Sequence, residues 1–378
     1  MQERHLKRII ELRHELHRVP EVSMKERRTK ETLMAFISRY TSLRVVDRGR
    51  WFYAWKEGEA DGDRVAFRAD MDALPIPEEH GLPYASEVSG VSHRCGHDGH
   101  CAALAGLALE LDSRGKECKN TVYLIFQHGE EIGGGGEECA GLIEEKDIAR
   151  VYAFHNWSGF PEGSVVLRDG IAQCASMGVI LSFAGKTAHA SRPEDGINPA
   201  SALANLALFV GTEALTSGYD SPVWATIVGL SAGTGDFGIA ASNGHLAVTL
   251  RAERDCDLKR LSAVIREKAA SLAARDGLRF SFREQDVFPD TVNNTHEIAR
   301  VRKAAGGLGL PVIEKKEPFK ASEDFGYFLK HCPGAMIYIG NGEDYPPIHT
   351  TEYDFNDKIL ETAVNLFAEL AIQPKKGQ

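Results

Sequence analysis

The sequence predicts an α/β protein interrupted by a ferredoxin-like insertion, and three observations carry that expectation. Short apolar runs at 64–69, 121–127 and 151–154 read as buried strands, each ends in polar residues, and helical periodicity separates them. From about 174 to 285 the pattern changes to the βαββαβ order of a ferredoxin-like unit. The earlier α/β pattern then resumes, with a helix at 295–306 and a strand at 335–339, so the unit is inserted. The expected division is 1–173 together with 286–378 as one discontinuous domain, and 174–285 as the insertion.

Each element has its own signal. Leu6, Ile9, Ile10, Leu12 and Leu16 make residues 3–18 an amphipathic helix that ends near Pro20, and a second helix is expected over 23–40. Residues 43–56 read as strand. After the run His93 to Cys101, the residues Leu104, Leu107, Ala108 and Leu111 fall at i, i+3, i+4 and i+7, the period of a buried helix. Within the insertion, 177–184 alternates with Val179, Leu181 and Phe183 on one face. Asn198 and Pro199 open a helix to about residue 215, and Asp257 is expected to cap another to about residue 275. Strands are expected at 223–230, 245–252 and 279–284, and a last helix after Asn356-Asp357. The closing PKKGQ reads as a loose tail.

Composition excludes several classes. The 378 residues are 43% hydrophobic and 26% charged, ordinary for a globular enzyme, and the net charge of −10 with no basic stripe argues against nucleic-acid binding. The charged N-terminus lacks the apolar core of a signal peptide, and no run approaches a membrane span. Seven scattered cysteines suit a reducing compartment, so a cytoplasmic protein with no membrane partner is expected.

The chemistry gathers at strand ends. Residues 93–101 hold three histidines, two cysteines and an aspartate, and Gly96 lets Cys95 and His97 face one point from an extended turn, with Gly99 easing the same turn. Asp70 and Asp72 end one strand, where open α/β sheets bind ligands, or serve as turn formers before Pro75. Glu130 and Glu131 follow the next strand, in front of the glycines 133–136, and His155 follows a third. With His349, the candidates Cys95, His97, Glu131 and His155 exceed what one tetrahedral zinc needs and suit two divalent ions held close. Such pairs hydrolyse amides with help from a neighbouring carboxylate, and of two adjacent glutamates one can ligate while the other acts as base. Thiolate and imidazole favour zinc, while manganese, cobalt or nickel can also serve.

These features resemble a known family. LRHELHRVPE at 12–21, FRADMDALPI at 67–76, CGHDGH at 95–100, the Phe126-Gln127 and Glu130-Glu131 pairs, Gly185-Lys186 with His189-Ala190, SEDF at 322–325 and His349 match the amidohydrolase branch of the two-metal aminoacylase/carboxypeptidase family. The resemblance implies a catalytic α/β domain in which Cys95, His97, Glu131, His155 and His349 hold two metal ions and Glu130 is the general base. It also implies that the insertion is a lid or dimerisation domain, so that a homodimer through it is expected by analogy. His189 would reach toward the developing oxyanion, and Arg251 would pair with a substrate carboxylate unless it forms a structural salt bridge. Two segments depart from the family pattern: His128-Gly129 stands where it has Pro-Ala, and 238–241 (Gly-Ile-Ala-Ala) stands where it has Asn-Val-Ile-Pro. The reaction implied is cleavage of an N-acyl amino acid to a carboxylic acid and a free amino acid. A dipeptidase or carboxypeptidase with the same metals, a non-catalytic small-acid-binding protein and Cys95 acting as a nucleophile are the alternatives.

Overall fold

The computed structural model describes residues 1–79, 81–216 and 218–373, so the expected loose tail at 374–378 lies outside the described residues. The chain divides into two compact units, one of Met1–Ala172, Thr291–Pro318 and Asp324–Gln378, the other of Gln173–Asp290 and Phe319–Glu323. The expected α/β class is the one observed.

The first unit is built on an eight-stranded mixed sheet. Its order is Arg44–Asp47, Phe52–Lys56, Thr121–Gln127, Arg64–Asp70, Arg150–Ser158, Gly334–Gly342, Val165–Leu167, Val312–Glu314. The four strands from Thr121–Gln127 to Gly334–Gly342 are mutually parallel, so their carboxyl ends share one edge. Three of those ends are the polar termini anticipated from sequence. His97–Arg114 is buried from His97 to Leu111 and packs on Glu3–Arg18 and Leu360–Ile372, which explains why its sequence is apolar on nearly every side. Leu12, Leu16, Phe67, Leu104, Leu107, Val364 and Phe367 lie in the core between these layers.

The first helix, Glu3–Arg18, is as expected. The second starts at Arg27, not residue 23, because Val22 bridges Ala73 and Met24 takes a left-handed conformation (φ 68°). The strand expected over 43–56 is a hairpin, Arg44–Asp47 with Phe52–Lys56, broken where Gly49 adopts φ 87°.

The second unit carries a four-stranded antiparallel sheet in the order Val223–Ala232, Asn243–Ala252, Ala175–Ala184, Arg279–Phe288. With the helices Ala200–Gly211 and Asp255–Arg275 this is the βαββαβ arrangement anticipated. Met177, Val179, Leu181 and Phe183 are its buried face, as alternation requires. Two local expectations change. The helix expected to run to about residue 215 stops at Gly211, and Glu213–Leu215 is a separate 3-10 turn. Asp257 does not cap its own helix, which begins at Asp255; its carboxylate accepts from the backbone of Asp220 and Ser221, tying down the preceding loop.

Candidate metal centre

Asp70, Glu130, Glu131 and His155 arrive at one edge because the strands before them are parallel and in register: Asp70 lies opposite Gln127, and Arg68 opposite Ala153. The loop ahead of the buried helix completes the set. Gly96 takes φ 94°, and a Cβ there would sit 2.6 Å from Asn156 Oδ1 and 2.7 Å from the Tyr353 hydroxyl, so only glycine fits. His97 is the first residue of the helix, whereas the sequence suggested an extended turn. Gly99 is likewise helical. It is needed because a side chain would meet the Phe355 ring at 2.3 Å, not for unusual backbone angles.

All five expected donors converge. Cys95 Sγ lies 3.3 Å from His155 Nε2 and 3.2 Å from His349 Nε2, and Glu131 Oε1 is 3.7 Å from His97 Nε2 and 3.6 Å from His349 Nε2. Cys95, His97 and His155 form one cluster of close ligand atoms, and Cys95, Glu131 and His349 form another that shares the thiol. Glu130 clusters with His97 and Glu131. His349 holds a left-handed backbone (φ 64°) that its N–H···O bond to the Arg94 carbonyl, 2.7 Å, secures.

Surrounding groups fix these side chains. Asp72 stands 3.3 Å from His97 Nδ1 while its other oxygen accepts from the Glu131 amide at 3.0 Å. His155 Nδ1 donates to its neighbour's carbonyl at 2.7 Å, which leaves the Nε2 lone pair facing Cys95. Glu26 accepts from the amide of Gly129, itself at φ 63°, and so braces the turn that presents the two glutamates. His100 sits between Asp70 Oδ1 (2.6 Å) and Asn156 Oδ1 (2.7 Å). Fully buried Arg68 joins Asp70 and Asp324, and Asp324 also accepts from Gln127 and the Gly136 amide. The glycines at 135 and 136 therefore serve close packing: a Cβ on Gly135 would meet the His128 carbonyl at 1.7 Å.

The electrostatics call for cations. Burial and the nearby Glu131, Glu130 and Asp70 push the Cys95 thiol up. Burial keeps His155 neutral, far below its usual range. Burial opposes charge on His97 too, yet Asp70, Asp72 and Glu131 hold it up at about 10. Burial, with Asp72 behind it, raises Glu26 to about 7. Among the described residues, neither His97 ring nitrogen nor Glu131 Oε1 makes a hydrogen bond, although all three atoms are buried. A cysteine, three histidines and a carboxylate, with negative charge in excess around them, are a donor set that fits a pair of divalent ions, which would displace the protons of Cys95 and His97.

The remaining expected residues lie elsewhere. His189 is exposed in the second unit, in the short strand Ala188–His189, and pairs with Ile239. Its Nδ1 accepts from the Ser191 amide at 3.1 Å, so Nε2 carries the proton and can donate. The divergent 238–241 segment is thus the strand partner of His189. Arg251 donates to the Lys320 carbonyl (2.9 Å) and the Ser322 hydroxyl (2.8 Å), neutral acceptors rather than the carboxylate of a structural salt bridge. His128 faces Glu138 at 3.5 Å and joins none of the clustered donor sets among the described residues. Sequence reasoning had flagged Asp70 and Asp72 but missed Glu26, Arg68, His100 and Asn156; only the proximity of His100 to Cys95-x-His97 was a signal.

Residues 66–373 match the profile of Peptidase family M20/M25/M40. The chain belongs to that family. It is 28% identical to the N-acetylcysteine deacetylase of Bacillus subtilis, over 97% of this chain and 96% of the relative. It is 30% identical to the N-acetyldiaminopimelate deacetylase of Shouchella clausii, over 94% and 95%. A solved Bacillus subtilis structure, described as a dinuclear metal-binding peptidase of the M20 family, superposes with a TM-score of 0.83 at 26% identity, covering 98% of each chain. This M20 chain is a hydrolase, and among its described residues no helix is long and apolar enough to cross a membrane.

Proposed function

We propose that this M20 hydrolase cleaves the amide bond of an N-acyl amino acid, releasing a carboxylic acid and a free amino acid. The observation that carries the reading is the convergence of Cys95, His97, Glu131, His155 and His349 beside the carboxylate of Glu130. These five residues would hold two divalent cations, with zinc first by ligand chemistry and manganese, cobalt or nickel able to substitute. The cations supply Lewis acidity toward the amide carbonyl and the attacking water. Glu130 takes a proton from that water onto its carboxylate and returns it to the leaving nitrogen as the C–N bond breaks. Asp72 keeps His97 and Glu131 in place meanwhile.

His189 would donate from Nε2 to the oxyanion, and Arg251, its Nη1 already anchored, would meet the substrate carboxylate. The second unit would then act as the lid, pairing with a second copy of the chain, and the enzyme would work in the cytoplasm on small acids, apart from nucleic acid and membrane. The test is release of amino acid from hippurate, N-acetyl amino acids, N-acetyldiaminopimelate and a free dipeptide, with stripped protein and after adding zinc, manganese or cobalt. Metal-restored release from acylated substrates supports the reading. Turnover of the free dipeptide alone would replace it with a peptidase, and silence despite bound metal would leave a binding protein.

A further inference from the structure

The LRHELHRVPE stretch belongs to no part of the mechanism above, yet it buries two charged-type side chains one turn apart. Arg13 and His17 lie on one face of Glu3–Arg18, and both are 0% exposed. The Arg13 guanidinium reaches Asp98 (3.2 Å), Asp354 (2.9 Å) and Asp357 (2.6 Å), and packs over the Tyr84 ring. His17 Nδ1 lies 2.7 Å from Asp98 Oδ2, and its Nε2 lies 3.4 Å from Glu78. Glu78 stands 3.4 Å from Arg94 Nη2, and Arg94 Nε donates to the Ser92 hydroxyl at 2.8 Å.

Both branches of this network end against the donor loops. Asp98 is the residue after His97, and its second oxygen accepts from the Gly99 amide at 3.0 Å, fixing the first turn of the helix. Arg94 precedes Cys95, and its carbonyl is the acceptor that holds the His349 amide. Asp354 and Asp357 follow His349 closely in the chain. The helix is thus bolted to each side of the turn that carries Cys95 and His97, and to the segment that carries His349.

We propose that His17 and Arg13 are positioning residues, a brace that holds the Cys95, His97 and His349 donors at the spacing divalent cations need. The proposal rests on the site reading given above. Because the brace acts through Asp98 and Arg94, it governs how tightly the site holds a cation rather than how the substrate reacts. Interactions one shell behind metal donors typically change affinity by about 10–100-fold.

The experiment is zinc affinity of the full, metal-stripped chain, read by competition with a chromophoric chelator, alongside the thermal midpoint. His17→Asn keeps an N–H where Nδ1 points at Asp98, whereas His17→Gln places it on the Glu78 side. His17→Gln is expected to weaken zinc binding roughly 10–100-fold and His17→Asn to stay within about threefold of wild type. Arg13→Lys, which loses the planar fork, is expected to weaken binding as well and stands in if His17→Gln does not fold. Arg150→Met removes a buried ion pair with Asp63 far along the sheet, and is expected to lower the midpoint with affinity unchanged. Wild-type affinity in both His17→Gln and Arg13→Lys, or equal weakening in Arg150→Met, overturns the brace. Wild-type protein that binds no zinc, manganese or cobalt overturns the site reading, and the brace with it.

Discussion

The strand-end cage and the His189 strand present two ways of holding a functional imidazole. His97 and His155 are buried, and each is pinned from behind, by Asp72 or by a backbone carbonyl. His189 is exposed, and among the described residues its ring is oriented by the amide and hydroxyl of Ser191 two residues on. The difference matches what each would have to do. Groups that must meet a cation at fixed distance need their rotamers settled before anything binds, whereas a donor to a transient oxyanion can be ordered as substrate arrives. The carboxylates follow the same division, since Glu26, Asp70 and Asp72 are all buried against the donors they steady.

That contrast can be broken or sharpened by substitution. The largest effect is expected at Glu130→Gln, which should lower kcat by about 10²–10⁴-fold while leaving metal content unchanged, checked by turnover and elemental analysis of one preparation. Retained turnover would show that the proton moves elsewhere. His189→Ala should follow, with kcat down about 10²–10³-fold and zinc affinity untouched, because this residue belongs to the open side of the comparison. Asp72→Asn should do the reverse, weakening zinc about 10–100-fold through His97 and Glu131, and a competition titration that finds wild-type affinity would deny Asp72 its steadying role.

The last prediction concerns the pH dependence of stability. His17 is opposed by burial and by Arg13, but Asp98 and Glu78 raise it to about 9, with Asp354 at 3.9 Å and the Tyr84 and His93 rings packed around it. A raised histidine stabilises the fold fully below about pH 6.5, and that contribution disappears as pH rises through about 9. It should amount to something on the order of 3 kcal/mol. The urea midpoints of wild type and His17→Asn should therefore converge between those pH values, and a constant gap would contradict the charged pair.

How much of this was readable beforehand depends on the range over which each signal acts. Cys95-x-His97, the glutamate pair after an apolar strand and His155 after another were legible because chain-local patterns place them at strand ends. The role of His189 came from resemblance, since no local pattern distinguishes it from a surface histidine. Arg13 was the opposite case: a polar residue in an amphipathic helix is expected to face water, and here it is wholly buried because three aspartates await it. Glu26 was invisible for the same reason. Its partner, the Gly129 amide, is 103 residues away, and no periodicity encodes that distance. The second helix began late because a bridge from Val22 to Ala73 claimed its first turn.

The strand Gly334–Gly342 lies inside the large sheet, between Arg150–Ser158 and Val165–Leu167, and the bond from Arg13 to Asp354 spans 341 residues. During synthesis, then, Gly334–Gly342 leaves the ribosome well after the two strands it joins. Until that moment Arg150–Ser158 has a raw edge, open to any other strand in the crowded cell. A nascent chain halted short of residue 334 would keep that edge unpaired, which makes it a natural client for chaperones.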